Sequence, residues 1–146
     1  MAKNKKNEVE VWEDTPTEKP KKKSGSYSKT KGSAYERQLV NELKELTGNI
    51  NICTSRSMSK KLDDMKIDIF DEDGVLPCYI QAKKTQSTPS VKKINSEVGK
   101  VDKPLAIFWN IQEKKEGNVN ITSAGEYVII PKDFFYSLLK NNLNNE

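Results

Sequence analysis

Two short stretches of the 146-residue chain place acidic, amide and ammonium side chains at spacings suited to work on a phosphate. Lys66-Ile67-Asp68-Ile69-Phe70 reads as a strand, Asp71-Glu72-Asp73-Gly74 as a turn, and Cys78-Tyr79-Ile80-Gln81-Ala82-Lys83 as the strand that returns beside the first. Side chains alternate along a strand, so Gln81 and Lys83 share a face, and the hairpin sets Asp68 beside them. Upstream, Lys31-Gly32-Ser33-Ala34-Tyr35-Glu36-Arg37-Gln38-Leu39-Val40 opens an amphipathic helix that can deliver Glu36 to the same place. Such a group can hold a hard cation, Mg²⁺ or Mn²⁺, through oxygen. With that cation it can activate water, polarise a phosphate and offset charge on a leaving oxygen, the three requirements of phosphodiester hydrolysis.

Ser33 is placed to cap the helix, and Glu36 three residues later completes a capping-box pattern, a structural duty that competes with any chemical one. Leu39, Val40, Leu43 and Leu46 recur at helical spacing and Gly48 ends the helix. Residues 51–55 form a first strand with Ile50, Ile52 and Cys53 on the buried side, and Arg56-Ser57-Met58-Ser59-Lys60-Lys61 follows as a polar, basic loop. The returning strand of the hairpin covers residues 76–82, with Cys78, Ile80 and Ala82 on one face and Tyr79, Gln81 and Lys83 on the other. Pro89 and Ser90 open a second helix with a stripe of Val91, Ile94 and Val98. Leu105 to Trp109 is an unbroken apolar run, the mark of a strand covered on both faces. Short strands around Val119–Ile121 and Tyr127–Ile130 precede a last helix, started by Pro131 and carrying Phe134, Phe135, Leu138 and Leu139. The order predicts an α/β fold, a mixed central sheet flanked by helices.

Composition narrows the chemistry. The chain has no histidine and two cysteines far apart, which excludes a histidine base, a Ser-His-Asp triad and the common zinc finger. Cys53 and Cys78 both sit in apolar, strand-like contexts, which fits small buried thiols in a reducing compartment. Residues 1–31 carry nine lysines against five acidic residues, so the formal net charge of +4 lies in this leading segment. With Pro16, Pro20 and Gly25 in it, the segment 1–30 is expected to be a disordered tail ahead of a domain at 31–146. Its run Lys19-Pro20-Lys21-Lys22-Lys23 would attract phosphates or simply aid solubility. No apolar run approaches the ~20 residues of a membrane helix, and the N-terminus lacks the apolar core of a signal peptide. The expectation is a protein without membrane contact that stays in the cytoplasm, the host's if the source is viral.

Four motifs in order carry a resemblance. Lys31-Gly32 with Glu36-Arg37, Arg56-Ser57 with its Ser/Lys-rich continuation, Ile67-Asp68-Ile69, and Ile80-Gln81-Ala82-Lys83 resemble those of the PD-(D/E)xK nuclease superfamily. Within it, they are similar to the archaeal-type Holliday junction resolvases and their phage relatives. The resemblance implies a restriction-endonuclease-like core and a Mg²⁺- or Mn²⁺-dependent endonuclease of branched DNA, serving recombination and repair. It also implies a homodimer, whose paired sites suit the two symmetric strands of a junction. Glu36, Asp68 and Gln81 would be metal ligands with the main-chain oxygen of Ala82, and Lys83 the catalytic lysine. Arg56, Ser57 and Ser59 would touch the DNA backbone, joined by the basic Lys31, Arg37, Lys60, Lys61 and Lys84.

Two positions depart from the family pattern. Ile67 stands where a proline precedes the aspartate, and Gln81 stands where an acid is expected, which removes one negative charge from the site. Asp63 and Asp64 could restore that charge, and Asp64 is the alternative to Asp68. Any one of these residues alone would read as a solvated polar position; their joint spacing with Glu36 favours a site. Two other readings remain: a nuclease fold that binds DNA without cutting it, and a protein-binding adaptor whose tail contacts DNA.

Overall fold

The structure is a computed structural model that describes residues 25–58, 60, 64–117 and 119–145. A helix α1 (Gly25–Thr47) leads into strand β1 (Ile52–Thr54) and a short helix α2 (Ser55–Met58). Strands β2 (Ile69–Asp71) and β3 (Tyr79–Thr85) follow, then helix α3 (Val91–Val98), strands β4 (Leu105–Lys114) and β5 (Ile121–Ile129), and helix α4 (Lys132–Asn144). The five strands form one mixed sheet in the order β1-β2-β3-β4-β5. β3 and β4 are its parallel pair and the others are antiparallel. A parallel pair needs a crossover, and α3 supplies it.

The hairpin between β2 and β3 is built by one carboxylate. Asp71 Oδ1 accepts from the Asp73 amide at 3.1 Å and Oδ2 from the Leu76 amide at 2.6 Å, while Gly74 takes φ +66°. Only a residue without Cβ adopts that φ freely, which is why the acidic run ends in glycine. Asn49 Nδ2 donates to the same Asp71 Oδ1 at 2.9 Å and so ties the end of α1 to this turn.

Alternation along β3 divides the core in two. Ile80 and Ala82 pack with Tyr35, Leu39 and Val40 of α1 and with Ile52 and Ile69. Tyr79 packs instead with Ile94 of α3 and with Leu105 and Ile107 of β4. α1 therefore covers one face of the sheet and α3 the other. Burial raises the pKa of the Cys78 thiol to about 11, and Cys53 and Cys78 are both half-buried free thiols.

Several boundaries differ from the sequence expectation. α1 begins at Gly25, eight residues before Ser33, so Ser33 lies inside the helix and the capping box with Glu36 does not form. The expected tail therefore overlaps the helix at residues 25–30, and its remainder lies outside the described residues. Gly48 does end the helix, with φ +71° and its amide donating to the Lys44 carbonyl at 2.9 Å. Leu46 and Ile50, expected inside, are 82% and 79% exposed: Leu46 lies past Leu43, the last α1 residue packed on the core, and Ile50 in the turn ahead of β1. The loop after β1 opens as the turn of helix α2, and the two short strands expected near the C-terminus are one, β5. Gly125, at φ +133°, lets β5 pass a register shift beside Ile111. In α4 only Phe134 is buried; Phe135, Leu138 and Leu139 face solvent. Among the described residues no helix is long and apolar enough to cross a membrane.

Candidate active site

At the end of β3, beneath the N-terminal half of α1, lies an open cavity of about 540 Å³. Glu36 reaches it from α1, Asp68 from the residue preceding β2, and Ala82, Lys83 and Lys84 from β3. Lys29, Lys31 and Arg56 add three further cations to its wall. Among the described residues, two carboxylates and five basic side chains line it, a combination that suits a polyanion and leaves oxygen ligands for a cation.

The backbone explains the position of Asp68. Its amide donates to the Ile80 carbonyl at 3.0 Å, and its own carbonyl accepts from Ser55 at 2.9 Å. Its side chain then turns along β3, where Oδ2 accepts from the Ala82 amide at 2.8 Å. Ala82 thus engages Asp68 through its N–H. Glu36 is only 5% exposed, and a buried carboxylate needs a partner. Arg56 provides one: Nη2 stands 3.5 Å from Glu36 Oε1 while Nη1 donates to Ser33 Oγ at 2.9 Å. Ser33 and Glu36 sit one helical turn apart on one side of α1, so a single guanidinium spans both.

Lys83 lies on the cavity and also on a second depression at the head of α3, with Ser90 and Lys93. Its strand is anchored just beyond it. Trp109 Nε1 donates to Thr85 Oγ1 at 3.1 Å and lies 3.3 Å from the Thr85 carbonyl.

The structure does not bring Gln81 to this cavity, contrary to the expected cluster. Residue 81 points to the opposite face from Ile80 and Ala82, which pack under α1, and is in register with Ile107, which packs under α3. Gln81 is 4% exposed and its Oε1 has no hydrogen-bond partner among the described residues. Lys83 shares its face by alternation, yet it is longer and nearer the strand end.

The expected DNA contacts divide. Lys31, Arg56 and Lys84 line the cavity, whereas Arg37, Ser57 and Lys60 are exposed and do not line it; neither does the exposed Asp64, the alternative to Asp68. The Ser57 hydroxyl donates to the Thr54 carbonyl at 2.7 Å, a local bond that shapes α2. Ser59, Lys61 and Asp63 lie outside the described residues. Lys29 and Gln112 line the cavity without having been singled out in the sequence. Lys29 belonged to the stretch read as tail; Gln112 lies beyond the apolar run that marked β4, where only the polar alternation of Asn110 and Gln112 announced more strand.

An oxygen-only pair suits Mg²⁺ or Mn²⁺, which one or two carboxylates and substrate phosphates commonly hold. Among the described residues no group of three or more His, Cys, Asp or Glu side chains could hold a metal. Glu36 and Asp68 are the carboxylates that the described residues bring to this cavity. No protein-family model, no curated protein and no solved structure matches this chain.

Proposed function

We propose that the protein is a divalent-cation-dependent endodeoxyribonuclease with a restriction-endonuclease-like core, of the PD-(D/E)xK kind. The observation that carries this reading is the meeting of Glu36, from a helix, with Asp68 and Lys83, from a hairpin, on one cation-lined cavity. Glu36 and Asp68 would hold Mg²⁺ or Mn²⁺, which when bound supplies a polarised phosphate and an acidified water. Lys83 places an ammonium beside the phosphate and stabilises the charge that grows on it during displacement. Arg56 binds Glu36 by one edge of its guanidinium and offers the rest to an entering phosphate. Lys29, Lys31 and Lys84 hold the flanking phosphates, which places the duplex across the end of β3. Branched DNA as substrate, and a twofold dimer that cuts paired strands, rest on the motif resemblance.

A second reading, DNA binding without cutting, is favoured by one observation: residue 81 adds no charge and does not reach the cavity. Purified protein incubated with four-way, flapped and linear DNA in Mg²⁺ or Mn²⁺ separates the two. Cleavage that stops with EDTA and favours the branched substrates is the expected result. Tight binding with no cleavage of any of the three would leave the binding reading.

A further inference from the structure

Below α1, strand β4 carries two carboxamides into the interior. Asn110 and Gln112 are 5% and 6% exposed, on the face that α1 covers. Carboxamides are buried at a loss unless their polar atoms are paired, and these are paired in series. Gln112 Nε2 donates to Asn110 Oδ1 at 2.9 Å, and Ser123 Oγ donates to the same oxygen at 2.8 Å. Asn110 Nδ2 donates to Glu126 Oε1 at 3.3 Å. Burial and the nearby Glu126 carboxylate both raise the pKa of Tyr35, the neighbour of Glu36 in α1.

Each bond in the series fixes the amide before it. Asn110 Oδ1 receives two donors, so the Asn110 amide has one orientation, and Gln112 must turn its nitrogen toward it. Gln112 also lines the cavity and Asn110 does not. The series therefore ends on the cavity wall in a carboxamide whose Oε1 and second N–H are not engaged by Asn110.

Gln112 stands farther along the sheet than Ala82, which holds Asp68 through its amide. Ala82 is in register with Phe108, and Gln112 lies four residues farther along β4, which is ~13 Å at strand rise. A group at that remove meets the substrate away from the reacting phosphate. It is uncharged in a wall of lysines, so phosphates have better partners there. A carboxamide with a donor and an acceptor side by side matches the edge of a nucleobase, as glutamine does toward adenine.

We infer that Gln112 is a specificity residue, held in one orientation by Asn110, Ser123 and Glu126, that contacts a nucleobase of the strand lying in the cavity. This rests on the reading that the cavity takes nucleic acid, but not on cleavage. The test is DNA affinity of the full chain in EDTA, on oligonucleotides randomised around the branch, together with salt dependence. Gln112→Met keeps the volume and removes both polar atoms. It is expected to weaken affinity about tenfold for the preferred base and to flatten the base preference, with the salt slope unchanged because no phosphate contact is lost. Lys84→Ala should instead weaken all sequences alike and reduce that slope. Ser123→Ala, at an exposed residue, removes a donor to Asn110 and an acceptor for the Gly125 amide, and should shift base preference in the same direction, by less, with a melting temperature as control. Wild-type affinity and base preference in both Gln112→Met and Ser123→Ala would overturn the inference. A wild-type protein that binds no DNA would overturn both it and the reading beneath it. DNA binding in EDTA with no cleavage once Mg²⁺ or Mn²⁺ is supplied would overturn the nuclease reading alone.

Discussion

Lys83→Ala and Asp68→Asn are each expected to lower cleavage about a thousandfold while DNA binding stays within a few-fold of wild type. The size follows from what each group does. A lysine beside a phosphate stabilises charge that appears only during displacement, and removing such a preorganised partner commonly removes 10²- to 10³-fold in rate. Asp68 is one of the two carboxylates that the described residues bring to the cavity, so its neutralisation removes half of their acidic charge. Neither change should harm the fold. The Ala82 amide that donates to Asp68 Oδ2 can donate equally to the oxygen of an asparagine. Lys83 is half-buried near the end of β3, where Trp109 and Thr85 hold the strand independently of it. Single-turnover rates, with melting temperatures as control, make the measurement. Activity that survives both changes would remove Asp68 and Lys83 from the mechanism.

Gln81→Glu is expected to destabilise the protein rather than improve it. The motif resemblance would have an acid at this position complete the cation site, whereas the structure seats residue 81 between the sheet and α3, away from the cavity. An unpaired carboxylate buried there costs about 3 kcal/mol. In a chain of this size that lowers Tm by about 10 °C. The sign with pH is fixed. Burial raises the folded-state pKa of the introduced carboxyl above its unfolded value of ~4.3, so the deficit is present at neutral pH and shrinks as pH falls toward 4. Gln81→Met removes an acceptor that has no partner and keeps the volume, so it should be neutral or stabilising by about 1 kcal/mol. Thermal melts of both variants at pH 7 and pH 4 decide the matter. A Gln81→Glu protein as stable as wild type, with stronger cation binding, would place residue 81 at the cation after all.

The contrast at residue 81 shows how far local pattern reaches. Strand alternation correctly separated Ile80 and Ala82 from Tyr79 and Gln81, because that period is a property of the backbone. Which of the two sets α1 would cover depends on tertiary packing, and nothing local in β3 encodes it. Asp68 and Lys83 could be located from the hairpin because the acidic turn ending in Gly74 sets its connection. The start of α1 could not be, since Gly25-Ser26-Tyr27-Ser28-Lys29-Thr30 has weak helix propensity and its neighbours read as tail. That error removed Lys29 from consideration. Gln112 escaped because the apolar run ends at Trp109, although the strand continues to Lys114 with Asn110 and Gln112 buried in it. Buried amides at such positions are recognisable only once their partners, here Ser123 and Glu126 on the next strand, are in place.

Glu36 has the most to explain. It is nearly buried on a helix, next to the tightly packed Tyr35, and shares a guanidinium with Ser33. Glu36→Gln keeps the shape of the side chain and an oxygen acceptor for Arg56, so any loss it causes reports on the carboxylate charge.

Mn²⁺ titration of the protein with a non-cleavable DNA, followed by the loss of the free-ion spin-resonance signal, tests the convergence of the helix and the hairpin most directly. The account predicts one saturable Mn²⁺ per chain, lost in both Glu36→Gln and Asp68→Asn and retained in Lys83→Ala and Gln81→Met. Undiminished Mn²⁺ binding in the two carboxylate variants, or no saturable binding in the wild type, would contradict it.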